Sequence, residues 1–389
     1  MPYVQGVGIA CALGVGAAEV GANLRAARSP GMQATDRYSP GRELCLGCSP
    51  EPPPLDPRVP LRLRSRNNAL LELALRDLAP SLDAQLAGID PARVAIVLGT
   101  STSGMAEAES ALRARHAHGR LPPEFHYGQQ ELASPAEYLA WRLGTTGPAY
   151  AIATACASGA KAFASGARLL AAGVADAVLV GGVDTLCRFT VAGFSALGAV
   201  SAARTNPFSR NRCGVNIGEG AALFLLSARA APVRLAGWGE TSDGHHVSAP
   251  DPQGGGARDA IAAALRRAGL AASAIDYVNL HGTGTLQNDA MESRVIDALL
   301  PGVPASSTKP LTGHALGAAG AVEAALCWLA LTADVPLLPA HLWDGEADPE
   351  LPALNLVAPG SAPARAPRAA LSLSFAFGGS NAALLLASA

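Results

Sequence analysis

Short apolar runs alternate along the chain with longer stretches whose apolar residues recur at helical spacing. Arg93-Val94-Ala95-Ile96-Val97-Leu98-Gly99 is unbroken, rich in β-branched residues and closed by Gly, the pattern of a strand buried on both faces. Asp176 to Asp184, Ala221 to Leu226 and Ile275 to Leu280 read the same way, and Tyr150 to Ala153 is a shorter strand-like run. Helical stretches fall between them. Ala160 to Ala172 is rich in Ala, and Ala318 to Ala333 is apolar almost all round, which predicts a buried helix. Ser134-Pro135-Ala136-Glu137 predicts a capping box with Pro at the first helical position. Strand, helix, strand repeated over the whole length predicts an α/β fold with mainly parallel sheets. No short repeat is present. Two similar halves would meet between Ser227 and Pro232, where the run Ala221 to Leu226 has ended. Ser39 to Pro60, rich in Pro and small residues, predicts a surface loop, and Gly254 to Gly256 a second loop tip.

The chain has 389 residues and a mass of 39.2 kDa, too long for one ordinary domain and comfortable for two. Hydrophobic residues make 49% but aromatic ones only 5%, so the core must be built from Ala, Leu and Val. A net charge of −2 gives no global basic field for nucleic acid and no acidic excess for disorder. The only two Lys are Lys161 and Lys309, which raises a question about each. Seven Cys cannot all pair, and Met1 to Gly6 lacks the charged and apolar regions of a secretory signal, so reduced thiols in the cytoplasm are expected. No stretch approaches the ~18 unbroken apolar residues of a membrane helix, so no membrane insertion is expected. Cys45-Leu46-Gly47-Cys48 is a lone pair without a nearby His and makes a poor zinc site; no metal is expected.

Four clusters could carry chemistry. In Thr154-Ala155-Cys156-Ala157-Ser158-Gly159-Ala160-Lys161, a strand-like run leads in and a helical run follows, placing Cys156 at the N-terminal end of a helix. There the dipole and free N–H groups would lower the thiol pKa and could hold an oxyanion. A buried structural Cys is the competing reading. Asn279-Leu280-His281-Gly282-Thr283-Gly284-Thr285 follows a predicted strand, and parallel sheets bind ligands beyond the carboxyl ends of their strands. A His flanked by Gly there suits general acid–base work, though a loop His bound to its own backbone would look the same. Ser306 to Gly320 holds Lys309 five positions before His314, which would open a helix. Ser374-Phe375-Ala376-Phe377-Gly378-Gly379-Ser380-Asn381 is a Gly turn between two apolar runs, equally the mark of an ordinary hairpin.

Together these clusters resemble the β-ketoacyl-acyl carrier protein synthases of the KAS I/II type, in the thiolase superfamily. Thr-Ala-Cys, His-Gly-Thr-Gly-Thr, Ser-Thr-Lys-Pro-Leu-Thr-Gly-His and Phe-Ala-Phe-Gly-Gly-Ser-Asn occur in that family's order. Asn206-Pro207-Phe208-Ser209-Arg210-Asn211-Arg212-Cys213-Gly214, then Gly218 to Ala221, looks like its Pro-Phe loop and following strand. The resemblance implies a thiolase-like fold: two βαβαβαββ halves, residues 1–230 carrying the nucleophile and 231–389 carrying two His, packed as αβαβα layers. Thiolases and coenzyme A-dependent starter synthases share the Cys and first His, but the latter use Asn where this chain has His314. Chain-length-factor subunits lack the nucleophile that Cys156 supplies.

The implied reaction is a decarboxylating Claisen condensation. Cys156 would carry the acyl chain, the N–H groups of Cys156 and Phe377 would form the oxyanion hole, and neutral His281 and His314 would hold the malonyl enolate. Lys309 would orient His314, Glu292 could pair with Lys309, and Phe377 would gate the acyl chain. Thr283 and Thr285 match positions that bind pantetheine amides, with Phe208, Phe375, Gly378 and Thr102 as further substrate contacts. No cofactor bound tightly is implied, since substrates ride on the phosphopantetheine of acyl carrier protein. The expected partners are that carrier and a second subunit, as a homodimer or as a heterodimer with a KAS-like chain lacking the nucleophile.

Some residues depart from the family. Ser209, Asn211 and Cys213 stand where Asp is frequent, Leu373 where Asn is common, and Ala376 replaces a usual Gly. Thr100-Ser101-Thr102-Ser103-Gly104 brings hydroxyls to the acyl-pocket segment, which predicts a polar lining suited to conjugated or oxygenated chains. With Asp184 to Cys187, this resembles synthases of aryl polyene pathways. Carrier proteins are acidic, so Arg62, Arg64 and Arg66, or Arg204, Arg210 and Arg212, are candidate docking residues, with ordinary solvated surface as the alternative.

Overall fold

A computed structural model describes residues 1–389. The first half runs β1 (Tyr3–Cys11), β2 (Gly14–Val15), α1 (Ala17–Arg25), β3 (Met32–Thr35), β4 (Leu44–Gly47), α2 (Arg66–Leu86), β5 (Val94–Gly99), α3 (Met105–His118), α4 (Ser134–Leu143), β6 (Ala149–Ile152), α5 (Ser158–Ala171), β7 (Ala177–Asp184), α6 (Arg188–Ala196) and β8 (Gly220–Ser227). The second runs β9 (Val233–Ser242), α7 (Gly255–Ala268), β10 (Tyr277–Asn279), α8 (Leu286–Leu299), β11 (Ala305–Ser306), α9 (Lys309–Thr312), α10 (Ala319–Thr332), β12 (Ala369–Ala376) and β13 (Ser380–Ser388).

The strand order is β6-β5-β7-β8-β1 in the first half and β11-β10-β12-β13-β9 in the second. Reading β1 as β9, β5 as β10, β6 as β11, β7 as β12 and β8 as β13 superposes the two orders. In each, three strands run parallel and the last-formed strand lies antiparallel between the third and the first. The halves do not keep separate sheets. β1 pairs β9 through Tyr3 with Arg234 and Val4 with Val233, which joins all the large strands edge to edge.

Between the two half-sheets lie α5 and α10, touching each other and strands of both halves. This middle layer explains the Ala-rich composition. Helices sandwiched between sheets must approach closely on every side, so only small residues fit at their crossing. A Cβ on Gly320 would stand 2.9 Å from Ala160 Cβ, and one on Gly159 would stand 3.0 Å from the Ala321 amide. α2 covers β1 and β8 on one outer face, and α7 covers β9 and β13 on the other.

Most predicted strands and helices are present at the expected places, with five corrections. The large sheet is mixed rather than mainly parallel, since β8 and β13 run antiparallel to both their neighbours and β1 antiparallel to β9. Helix α4 begins at Ser134 itself, so no capping box forms there. The Ser134 hydroxyl accepts from Asn68 Nδ2 at 3.1 Å, and Glu137 pairs with Arg62. Within Ser39–Pro60, Leu44 and Leu46 are fully buried on β4, which pairs with β3, so that segment is not all surface loop. Gly254 to Gly256 is no loop tip; Gly254, at φ +63, caps α7, and Gly255 and Gly256 form its first turn. His314 precedes α10 in the turn after α9 rather than opening the helix.

Candidate active site

β6 ends at Ile152 and α5 begins at Ser158, so Cys156 sits in a tight turn between them. Ala155 is forced to φ +49, a left-handed conformation costly for a residue with a Cβ. The Ser158 hydroxyl holds that turn by accepting from Thr154 N at 2.9 Å and donating to Ala155 O at 2.5 Å. Gly99, at the end of β5, lets the helix start approach. A Cβ there would lie 2.2 Å from Gly159 N.

His281 lies two residues beyond β10. Its loop turns back through Gly282 and Gly284, both at positive φ, and is anchored by Glu292 of α8. The Glu292 carboxyl accepts from His281 N at 2.6 Å and Gly282 N at 2.7 Å, while burial pushes its pKa up to about 8. His314 is fixed through its backbone: its N–H donates to Asn216 O at 2.7 Å and its carbonyl accepts from Gly218 N at 2.9 Å. These anchors bring His314 Nε2 to 2.9 Å from Cys156 Sγ, with the His281 ring centred 5.5 Å from that of His314.

Burial, reinforced by the positive charge of Lys309, holds both imidazoles well below the usual histidine range, so both are neutral. The thiol departs from the sequence expectation. Cys156 is 5% exposed, and burial pushes its pKa up to about 12. Lys309 and the backbone N–H of Phe377 oppose that rise without cancelling it. Desolvation outweighs the helix end because the dipole acts over one turn whereas burial surrounds the whole sulfur. At rest the thiol therefore donates to His314 Nε2.

Lys309 is wholly buried and donates to His281 O and to Glu323 Oε1, both at 2.5 Å. Its expected partner, Glu292, is taken up by the His281 loop, and its ammonium bonds the backbone of His281 rather than orienting His314. Glu323, on α10, was missed in the sequence reading. Its signal was visible: it is the one charge within the apolar run Ala318 to Leu331.

A cavity of about 620 Å³ opens onto Cys156, His281 and His314. Thr283, Thr285, Phe375 and Phe377 line it as expected, and the two threonine hydroxyls lie 2.9 Å apart. The Phe377 ring stacks on Phe194 of α6, centroids 5.5 Å apart. Three expected contacts lie off the wall. Gly378 takes φ +80 in the hairpin turn, its N–H donating to Val247 O at 2.8 Å. Phe208 packs near His341 with its N–H on Asp289, and Thr102 is buried against Asp184. The hydroxyls of Thr100, Ser101 and Thr102 all turn to the Asp184 carboxylate, so they do not give the cavity a polar lining.

The Arg sets divide. Arg66 is enclosed by Glu219 and Glu51, and Arg212 by Asp348, so neither offers a free guanidinium. Arg64 donates to the carbonyls of Val59 and Pro57. Arg62 pairs with Glu137 and Arg210 with Glu346, while Arg204 is exposed. The seven cysteines are unpaired, and Cys45 and Cys48 gather no third metal-binding residue.

With this geometry in place, known proteins can be compared. Residues 74–231 match the family described as beta-ketoacyl synthase, N-terminal domain, and residues 233–342 match beta-ketoacyl synthase, C-terminal domain. The 3-oxoacyl-[acyl-carrier-protein] synthase 2 of Rhizobium meliloti is 37% identical over 260 residues, 62% of this chain and 61% of that protein. The match therefore spans about three-fifths of that relative's length. Nodulation protein E of the same organism is 33% identical over 75% of each chain. Among solved structures, the ketosynthase ApeO of Xenorhabdus doucetiae, in complex with its chain length factor ApeC, is 42% identical. It matches with a TM-score of 0.95 over 100% of this chain and 98% of that one. No helix is long and apolar enough to cross a membrane. The chain belongs to the β-ketoacyl synthase family.

Proposed function

We propose that this chain is a β-ketoacyl-acyl carrier protein synthase that condenses malonyl-acyl carrier protein with an acyl group held on Cys156. The observation that carries this is the contact of Cys156 Sγ with His314 Nε2 at 2.9 Å, beside a second neutral imidazole and the Phe377 N–H. In the first stage the sulfur attacks the carrier-bound thioester while its proton passes to His314 Nε2 and on to the departing pantetheine sulfur. The oxyanion so formed is held by the Cys156 and Phe377 N–H groups. In the second stage malonyl thioester loses carbon dioxide. The negative charge gathers on its thioester oxygen, where the N–H of His281 receives it, joined by the Nε2–H of His314 in its other tautomer. The resulting carbanion attacks the acyl-Cys carbonyl, the C–S bond breaks, and the sulfur regains a proton from solvent. Neutral imidazoles suit both stages, since each ring has one N–H to donate to the enolate and one bare nitrogen to accept a proton.

Thr283 and Thr285 suit the pantetheine amides, Phe375 the acyl thioester, and Phe377 a gate that unstacks from Phe194. Lys309 and Glu292 act behind His281, and Gly378 frees the gate's backbone. The division into a nucleophile half (1–230) and a histidine half (231–389) belongs to this reading and is supported by the repeated strand order. Exposed Arg204, Arg62 and Arg210 are the better dock for an acidic carrier; Arg66 and Arg212 are the weakest. Full-length similarity to a ketosynthase in complex with its chain length factor supports a heterodimer with a KAS-like chain lacking the nucleophile. For the pathway, an aryl polyene acyl chain is the reading we carry, now resting on the resemblance around Asp184 to Cys187 and not on a polar pocket. Unpaired thiols fit a cytoplasmic setting.

The test is intact-mass analysis of the purified chain, alone and with a candidate partner, incubated with malonyl-carrier protein and a panel of acyl-carrier proteins. An adduct on Cys156 and a β-keto product establish the reading. Acylation without product under both conditions, or none, refutes it in favour of a non-catalytic partner. Equal turnover of saturated and polyenoic chains refutes the pathway.

A further inference from the structure

The hydroxyl run at Thr100 to Ser103 and the acid at Asp184 have no place in the chemistry above, yet they form one buried construction. Asp184 ends β7 with no exposed surface. Its carboxylate accepts from Thr100 Oγ1 at 2.7 Å, Ser101 N at 3.0 Å, Ser101 Oγ at 2.6 Å, Thr102 N at 3.0 Å and Thr102 Oγ1 at 2.9 Å. Gly317 N donates to it from the opposite side at 2.7 Å. No cation pairs with it; uncharged dipoles alone hold the carboxylate. Both of its partner segments bear on the active site. Thr100 N donates to Ile152 O, at the end of the strand that leads into Cys156. Gly317 lies three residues after His314, beyond Leu316, which is forced to φ +49.

The fit at Gly317 is exclusive. A Cβ there would stand 2.7 Å from Asp184 Oδ2 and 2.7 Å from Ser101 N. The Gly317 carbonyl in turn faces Gly159, in the first turn of the nucleophile helix, where a Cβ would lie 2.9 Å from that oxygen. The strained turn after His314 is thus pressed against both the Cys156 elbow and the β5 loop, and the carboxylate is what ties them together.

We propose that Asp184 is a positioning residue for the condensation: it sets the Cys156–His314 contact by fastening the turn after His314 to the loop that follows β5. This rests on the ketosynthase reading of Cys156 and His314. The role needs a carboxylate rather than an amide. Donors converge on both oxygens, Thr100, Ser101 and Thr102 on Oδ1 and Ser101 and Gly317 on Oδ2. An Asn would set its N–H₂ against one of those groups of donors. The charge has a second consequence: Asp184 is among the groups that raise the Cys156 thiol, so its removal eases thiolate formation while loosening the histidine.

These two consequences have opposite signs, and that separates positioning from a merely structural role. In Asp184→Asn, iodoacetamide alkylation of Cys156 followed against pH should move to lower pH. Over the same preparation kcat for condensation should fall on the order of tenfold to a hundredfold with KM little changed, as expected when reacting groups are displaced by a fraction of an ångström to one ångström. Ser101→Ala, which removes one donor from the carboxylate, should give a smaller fall in kcat and covers the case in which Asp184→Asn does not fold. Unchanged kcat in the folded variant, or a loss of kcat that only follows the folded fraction with the alkylation profile unmoved, overturns the proposal. If the wild-type protein alkylates at Cys156 but condenses nothing, the ketosynthase reading itself has failed.

Discussion

Replacing Lys309 by Met tests the electrostatic design of the site. The ammonium is fully buried and divides its hydrogen bonds between His281 O and Glu323 Oε1, each at 2.5 Å. Met keeps most of the volume and removes the charge. Glu323 is then left in the core without its cation, and removing one partner of a buried pair costs about 3–5 kcal/mol. Replacing both, as Lys309→Met with Glu323→Gln, should recover a large part of that loss, because no uncompensated charge is left behind.

The pH dependence has a definite sign. Burial already raises the Glu323 carboxyl above its ordinary value, and Lys309 is what opposes the rise. Without Lys309 the folded state holds a proton on Glu323 at neutral pH while the unfolded chain has released it. The stability that this proton brings is complete below the ordinary Glu value. It is lost as pH rises toward the raised folded value, at up to about 1.4 kcal/mol per pH unit. Urea unfolding of wild type, single and double variants between pH 5 and 8 measures this. The single variant should lose stability with rising pH more steeply than the other two. Lys309 is also the leading influence that lowers the Cys156 thiol, so alkylation of the single variant should move to higher pH. A loss for Lys309→Met under about 1 kcal/mol, or strictly additive losses in the double variant, refutes the argument.

Three further outcomes are expected. Ala155→Gly should leave the melting temperature nearly unchanged, because relief of φ +49 offsets the added freedom of the unfolded chain. Ala155→Val should cost about 2 kcal/mol or more, read from the same melts. Phe377→Ala removes the ring stacked on Phe194 but leaves the backbone N–H, so acylation of Cys156 should persist while preference among acyl chains relaxes, measured by competition between two acyl-carrier proteins. His314→Ala removes the acceptor of the thiol proton and should slow acylation of Cys156, whereas His281→Ala should spare acylation and abolish loss of carbon dioxide from malonyl-carrier protein; equal defects in both steps for both variants would contradict the assignment.

The amino-acid sequence by itself determined the alternation of strand and helix, the buried character of α10, and the position of Cys156 at a strand-to-helix turn. Each depends on residues near one another in the chain: apolar period, Gly and Pro at turns, and small side chains where helices must crowd. The local order of motifs was enough to nominate Cys156, His281 and His314. It could not decide who pairs with whom. Lys309 stands 17 residues from Glu292 and 14 from Glu323, and nothing in that spacing tells that α8 turns its acid to the His281 loop while α10 turns its own to the lysine. The hydroxyls of Thr100 to Thr102 read as cavity lining until Asp184, more than 80 positions away, is seen to gather them. The thiol's pKa was misjudged for the same reason. The dipole of a helix end is local and readable in sequence, but desolvation depends on everything that closes over the sulfur, and only the packed sheets and helices determine that.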